Sequence, residues 1–167
     1  MLGYLKHQEA VPHLIDLVKR DPDAEVRRAA AGALGFSTDT GVLPALIEGL
    51  RDQAWQVREE AATTLGKLKV REAAAPLIET MADEQWQVRV RAARSLGRLK
   101  EPAAVAVLTD ALSHEVSNLR KEAALALREL GDASALEALN VASHDDADVE
   151  VRKAARLAIQ QIKQGLA

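Results

Sequence analysis

The chain contains no cysteine and very few aromatic residues. Without cysteine, disulfide bonds and thiolate metal sites are excluded. Aromatic residues make up 2% of the chain while hydrophobic residues make up 48%, so the apolar content is mainly Ala, Leu, Val and Ile. This composition suits closely packed helices better than a large core filled by bulky rings. No apolar run approaches the ~18 residues that are needed to span a bilayer.

The chain also lacks an excess of charge of the kind that nucleic-acid binding requires. Lys and Arg number 22 and Asp and Glu number 25, which gives a net charge of −3, whereas affinity for nucleic acid rests on a cationic surface. Residues 1–10 carry charges and have no apolar segment typical of a signal peptide. Strand signals are missing, because there is no alternating β-branched run and no Asn-Gly or Asp-Gly turn. The composition therefore predicts a cytoplasmic, helical protein that binds neither nucleic acid nor membrane.

What the chain does contain is a repeat. Val-Arg occurs at 26–27, 57–58, 88–89 and 151–152, with Leu-Arg at 119–120, so that the spacing is 31 residues three times and then 32. A Leu or Ile follows eight residues after each of these apolar positions, at 34, 65, 96, 127 and 159. A fixed period of this length predicts stacked supersecondary units, which mostly bind partners through an extended surface.

Each unit is predicted to contain two helices. The first carries apolar residues at spacings of three and four, as in Leu43, Leu46, Ile47 and Leu50. The second carries Val-Arg, an Ala pair and then Leu-Gly. We expect the Asp residues between the helices to cap the second helix, and the glycines to end it in a left-handed conformation. These residues are Asp21, Asp52 and Asp83, and Gly35, Gly66 and Gly97.

The units run on without a Ser- or Gly-rich linker, so a single domain is predicted. The prediction is an all-α, right-handed α-solenoid of about five helical hairpins. Their approximate bounds are 6–35, 36–66, 67–97, 98–130 and 131–164.

The second-helix pattern resembles the HEAT-like repeats first associated with phycobilisome lyases. The stretch from Asp52 to Gly66, which reads Asp-Gln-Ala-Trp-Gln-Val-Arg-Glu-Glu-Ala-Ala-Thr-Thr-Leu-Gly, resembles that family's Asp…Val-Arg-x-x-Ala-Ala-x-x-Leu-Gly unit. The resemblance covers nearly the whole chain and implies a HEAT-like superhelix. It leaves the function open, because the family includes bilin lyases, an iron hydroxylase, scaffolds and engineered binders.

The two ends of the chain differ in their patterns. Met1-Leu2-Gly3-Tyr4 aligns with Leu34-Gly35-Phe36, so the residues up to Leu5 are interpreted as the tail of a second helix. We therefore expect a truncated N-terminus or a degenerate first unit, with an exposed apolar edge that offers a surface for self-association. At the other end, Arg156 and Gln160 replace the usual Ala and Gly, which is typical of a terminal unit facing water.

The recurring Arg has two interpretations. It is either an anion-binding stripe or a structural ladder, in which each guanidinium bonds the side chain of a loop Asp within or between units. The ladder is favoured because the Asp recurs together with the Arg. Its members are Arg27, Arg58, Arg89, Arg120 and Arg152, with Asp21, Asp52, Asp83 and Asp146.

No catalytic or metal site is predicted. His114-Glu115 resembles a fragment of the His-Glu motifs of deoxyhypusine hydroxylase, a di-iron enzyme of this fold. The resemblance places those motifs just after Val-Arg, where this chain has no His-Glu. Glu59 and Glu60 are adjacent on a helix and point about 100° apart, so they form an acidic edge rather than a catalytic dyad. We therefore expect a protein without cofactor, metal or catalytic residues.

The two tryptophans, Trp55 and Trp86, occupy the same repeat position, two residues before Val. In engineered HEAT-like binders the partner-contacting positions flank Val-Arg in this way. Carried over, the resemblance implies a partner-binding set consisting of Trp55, Gln56, Glu59, Glu60, Trp86, Gln87, Arg91, Arg94, Lys121 and Glu122.

The indoles are interpreted either as an interface hot spot or as local core. The predicted function is a non-enzymatic scaffold that binds a protein or peptide on its concave face. The alternative is a bilin-lyase-like subunit or chaperone that presents a tetrapyrrole or its acceptor protein.

Overall fold

The computed structural model describes the backbone of residues 2–166 and the side chains of residues 9–166. Within that part of the chain it contains ten α-helices and no strand. The helices are α1 (Leu2–Arg20), α2 (Ala24–Leu34), α3 (Leu43–Gly49), α4 (Trp55–Leu68), α5 (Ala74–Thr80), α6 (Trp86–Leu99), α7 (Val105–Ala111), α8 (Ser117–Leu130), α9 (Leu136–Asp145) and α10 (Val149–Gly165). The predicted all-α solenoid is confirmed.

The helices form two layers. The even-numbered helices α2, α4, α6, α8 and α10 pack against one another in chain order, and each odd-numbered helix packs on the even-numbered helix that follows it. A short 3₁₀ turn leads into each of α3, α5, α7 and α9. The Leu that follows Val-Arg by eight residues is fully buried between the layers in the first four units, as at Leu65 and Leu96. One continuous apolar core therefore runs along the stack from Val11 to Ile162.

Of the three repeat glycines that we expect to end second helices in a left-handed conformation, only Gly35 ends its helix, and it is right-handed with φ of −65°. Gly66 and Gly97 lie inside α4 and α6 and are buried. A Cβ added at Gly66 would lie 2.6 Å from the Cβ of Ser95, and one at Gly97 would lie 2.8 Å from the Cα of Ala126. The missing side chain thus allows the next even-numbered helix to approach closely. The helices α4, α6 and α8 end in left-handed residues at Lys69, Lys100 and Gly131, with φ values of 53°, 54° and 73°.

The start of the chain also differs from the prediction. The helix α1 runs without interruption from Leu2 to Arg20, so the interpretation of the residues up to Leu5 as the tail of a second helix is wrong. Val26 in α2 is 36% exposed, whereas its counterparts Val57 and Val88 are fully buried. The difference arises because α2 is the first even-numbered helix of the described chain. By contrast, α4, which carries Val57, packs on α2, and α6, which carries Val88, packs on α4. No described helix is long and apolar enough to cross a membrane.

Candidate partner-binding face

Both tryptophans stand at the start of an even-numbered helix. Trp55 begins α4 and Trp86 begins α6. Because these two helices pack side by side and run in the same direction, the indoles occupy equivalent places in neighbouring units. Trp86 is 36% exposed, and Trp55 is half-buried. Trp86 therefore presents part of its ring to solvent, and Trp55 is partly covered by its surroundings.

The charged residues predicted around the tryptophans pair largely with one another across neighbouring units. Arg91 Nε donates to Glu59 Oε1 over 2.9 Å. Arg94 donates from Nε and Nη2 to the two oxygens of Glu122 over 2.9 and 2.7 Å. Glu122 is buried, so its carboxylate binds the guanidinium of Arg94 and has little contact with solvent. These pairs connect α4 to α6 and α6 to α8, and they leave little net charge at the centre of the face.

The remaining predicted residues vary in their surroundings. Glu60 lies 4.0 Å from Lys67. Gln56, Gln87 and Lys121 are half-buried, and the Oε1 atom of Gln87 is buried without a hydrogen-bond partner in the described residues. No described carboxylate forms an ion pair with Lys121, so its ammonium is the charge in this set that remains available to a partner.

The Arg column forms a ladder between units. Arg27 donates from Nε and Nη2 to the carboxylate of Asp52 over 2.7 and 2.9 Å, and Arg58 binds Asp83 in the same way over 2.6 and 2.9 Å. A third rung joins Arg120 to Asp146 over 2.7 and 2.8 Å. Each guanidinium also donates Nη1 to two carbonyl groups in the loop before its own helix, as Arg58 does to residues 52 and 53.

The ladder carboxylates have a second task in their own loops. Asp52 Oδ1 accepts from the N–H of Ala54 over 2.8 Å, and Asp83 Oδ1 accepts from the N–H of Gln85 over 2.9 Å. Ala54 and Gln85 are themselves the N-cap residues of α4 and α6. The Asp side chains thus fix the turn that precedes the helix, and the expected direct cap is not formed there.

Protonation of these carboxylates is opposed by their hydrogen bonds. Burial acts to raise the pKa of Asp52, but the hydrogen bonds from Arg27 and from the N–H of Ala54 outweigh it, and the pKa lies below its ordinary value. The pKa of Asp83 is lowered in the same way against burial, through Arg58 and Gln85. The ladder carboxylates therefore stay ionised at lower pH than an ordinary Asp does.

The ladder is interrupted at Arg89. The position that would hold its Asp is occupied by His114, whose Nδ1 accepts from the N–H of Val116 over 3.0 Å. The imidazole thus keeps the loop contact of the missing Asp but offers no carboxylate. The Nε atom of Arg89 is buried without a hydrogen-bond partner in the described residues. Two ends of the ladder are also unpaired in the described chain, since no guanidinium reaches the Asp21 carboxylate and no carboxylate reaches Arg152.

No group of three or more His, Asp and Glu side chains within the described residues is arranged to hold a metal ion. Sequence reasoning missed three further cross-unit ion pairs, the first of which joins Lys19 Nζ to Glu48 Oε2 over 2.9 Å. Arg51 Nη2 donates to Glu79 Oε2 over 3.2 Å, and Arg71 donates from Nε and Nη2 to Glu101 over 2.7 and 3.1 Å. The ladder spacing of 25 residues is visible in the repeat, whereas these pairs are separated by 29, 28 and 30 residues. The spacing of 31 residues between Glu48 and Glu79 is the signal that could have found the first two.

The architecture matches that of a known repeat family. HEAT repeats match the chain over residues 1–66, 43–115 and 74–160, which together cover nearly all of it. The chain belongs to the HEAT-repeat family. No curated protein matches its sequence.

Several solved structures resemble this HEAT-repeat chain. The CpcE–CpcF complex of phycocyanin lyase from Nostoc sp. PCC7120 superposes with a TM-score of 0.81 at 26% identity, covering 90% of this chain and 64% of that chain. The chain thus spans less than two thirds of that relative's length.

Two further similarities concern the fold alone. Human deoxyhypusine hydroxylase has a TM-score of 0.64 at 23% identity, covering 94% of this chain and 75% of that chain. A designed armadillo repeat protein in complex with the peptide (KR)4 has a TM-score of 0.69 at 21% identity, with coverage of 93% and 85%.

Proposed function

We propose that this HEAT-repeat chain is a non-enzymatic scaffold that binds a protein or peptide on its concave face, with Trp86 as the main anchor and Trp55 beside it. The observation that carries the proposal is the exposed part of Trp86, at 36%, on an otherwise aromatic-poor chain. Trp is enriched among the residues that dominate interface energetics, because its rigid ring buries a large area at a low entropic cost.

The packing supports the concave side as the place for this face. The even-numbered helices contact one another extensively through the whole stack, while the short odd-numbered helices α3, α5 and α7 mainly contact their own partner helix. In a curved stack we expect the layer whose helices approach more closely to lie on the inside of the curve, which supports the even-numbered helices as the concave side. Both tryptophans begin helices of this inner layer, so a bound segment running across the stack meets them in succession.

The pairing of charges favours a partner recognised mainly through apolar and aromatic contacts. Glu59 with Arg91 and Glu122 with Arg94 neutralise each other across units. Lys121 has no such counter-ion in the described residues, and it lies on α8 next to the α6 helix that carries Trp86. We therefore expect one carboxylate of the partner to pair with Lys121 and to set the docking direction.

A comparison in extracts of the native host tests this proposal. A partner captured by the wild-type chain should be lost with Trp86→Ala, which we expect to weaken binding by on the order of 2 kcal/mol, or about thirtyfold. Val141→Ala is the matched control, because Val141 is 58% exposed on α9, in the outer layer. Both variants should melt close to the wild type. Equal capture by Trp86→Ala and wild type, or a marked fall in melting temperature, would assign the indole to the core.

A second candidate function is a bilin-lyase-like subunit that presents a tetrapyrrole or its acceptor protein. The similarity to the CpcE–CpcF complex of phycocyanin lyase, with a TM-score of 0.81, favours it. A pigment-handling chain should bind bilin with a shifted absorption band. An unshifted bilin spectrum at saturating protein would exclude the pigment-handling function and leave only the scaffold function.

Self-association through the N-terminal edge is a separate proposal. The exposed Val26 on α2 is the described residue that supports it, since its counterparts in later units are buried. Light scattering over a range of concentrations measures the association state. A mass that stays monomeric at high concentration would contradict it.

A further inference from the structure

We propose a second docking surface, on the edge formed by the turns that follow α2, α4 and α6, for an acidic peptide segment that carries an apolar side chain. The surface, called here the basic edge, is independent of the tryptophans. Its residues are Phe36, Lys67, Lys69, Arg98 and Lys100.

The backbone at two of these lysines is the first observation. Lys69 and Lys100 adopt left-handed conformations, with φ values of 53° and 54°. The equivalent position after α8 is Gly131, with φ of 73° and no atom within 4 Å of an added Cβ. Glycine takes this conformation without a steric penalty, whereas a side chain is disfavoured there. Two neighbouring units thus retain lysine where the fold itself prefers glycine, and a role for the ammonium groups explains the choice.

The charge balance is the second observation. The segments 67–72 and 98–101 carry five cations against two carboxylates, Glu72 and Glu101. The guanidinium of Arg71 donates two hydrogen bonds to the carboxylate of Glu101. No described carboxylate forms an ion pair with Lys69, Arg98 or Lys100. Since α4 and α6 are stacked side by side at about 8–10 Å, the three groups form a cationic strip across two units.

A cleft with a mixed apolar and polar lining adjoins this strip on the same edge and is the third observation. The cleft has a volume of about 490 Å³ and lies between the turn after α2 and the end of α4. Phe36, Leu43, Leu68 and Val70 supply its apolar lining, and Lys67 is its cation. Its polar side is formed by residues 37–40, where the carboxylate of Asp39 accepts from the N–H of Gly41. Phe36, the only phenylalanine of the chain, is 73% exposed. A large exposed ring beside a cationic strip is complementary to an apolar side chain that is followed by carboxylates.

The test measures fluorescence anisotropy with a fluorescein-labelled peptide that has Leu-Phe between two runs of three glutamates. The wild-type chain should bind it, and binding should weaken as salt is raised. The double variant Lys69→Gly with Lys100→Gly should lose at least fivefold in affinity. Its melting temperature should stay equal or rise by about 2–4 °C per position, because glycine relieves the left-handed backbone. Lys69→Asn with Lys100→Asn, which also tolerates this backbone, should give the same loss of binding.

Two controls make the result specific. Lys153→Gln with Lys163→Gln removes two lysine charges from α10, which contributes neither to the basic edge nor to the tryptophan face, and it should bind the peptide within twofold of the wild type. Phe36→Ala should lower affinity for the Leu-Phe peptide at least threefold, and it should leave unchanged the affinity for a peptide with Gly-Gly in its place.

Several results would overturn the proposal. These are a wild-type chain that does not bind the peptide, a glycine double variant that binds normally, and a control variant that loses as much affinity. Tighter binding of a single-stranded oligonucleotide or of phosphatidylserine vesicles through the same lysines would assign the edge to a different class of partner.

Discussion

The interrupted rung of the ladder gives a sharp prediction, because His114→Asp should stabilise the protein. In the other three rungs, an Asp 25 or 26 residues after the Arg accepts both Nε and Nη2. At Arg89 the Nε atom is buried without a partner, and His114 supplies one contact, to the N–H of Val116. An Asp at 114 can keep that contact through Oδ1 and also receive the guanidinium.

The magnitude follows from two opposing effects. A buried donor without a partner costs about 1–3 kcal/mol, which the new carboxylate removes. Placing a carboxylate in a half-buried site offsets part of this gain. At Asp52 the hydrogen bonds outweigh burial, since its pKa lies below the ordinary value. We therefore expect a net gain of about 1 kcal/mol, which corresponds to a rise of about 2–4 °C in melting temperature.

Thermal and urea unfolding followed by circular dichroism measures this gain. His114→Asn is the matched control, because its amide oxygen still accepts the N–H of Val116 but brings no negative charge. In a double-mutant cycle with Arg89→Met, the coupling between Arg89 and Asp at 114 should reach about 1 kcal/mol. If His114→Asp is no more stable than His114→Asn, or if the coupling is zero, the reading of Arg89 as an unfilled rung is wrong.

Two further predictions concern packing and pH. Gly66→Ala should destabilise the fold by about 1–3 kcal/mol in urea unfolding, because the new Cβ would lie 2.6 Å from the Cβ of Ser95. The control Gly165→Ala should be neutral, because no atom lies within 4 Å of its added Cβ. Equal effects of the two substitutions would contradict the role of Gly66 in close helix packing. Asp83→Asn should cost about 2 kcal/mol at pH 7 by breaking the rung with Arg58. Because the folded pKa of Asp83 is lowered, its contribution is present above the unfolded pKa near 4 and is lost as the pH falls through the folded value. The variant should thus show a flatter loss of stability in acid, and an unchanged acid profile would argue against the pairing.

The repeat made the two-layer architecture predictable, because the period and the apolar spacing are both local patterns. The roles of single small residues were not predictable in the same way. Gly66 and Gly97 followed a Leu where a helix end is common, and only the distance to Ser95 or Ala126 in the next unit shows that they allow close packing. A single sequence carries no direct signal for that distance.

For the candidate face, the repeat register located the tryptophans but not the state of the charges around them. The residues Glu59 and Arg91 are 32 positions apart, and Arg94 and Glu122 are 28 apart. These separations straddle the period of 31, so the pairs depend on how the helices are rotated against each other. The left-handed lysines were also hidden, because the sequence alone does not show at which residue α4 or α6 ends.

The most direct test of the scaffold account uses Trp86 as its own probe. In Trp55→Phe, Trp86 is the only tryptophan, so its emission reports on this side chain alone. Titration with the partner captured from the host should shift the emission to shorter wavelength and protect it from quenching by acrylamide, because binding removes the exposed part of the ring from water. If the partner saturates the chain, as shown independently by calorimetry, while the emission and the quenching of Trp86 stay unchanged, the partner does not bind at this face.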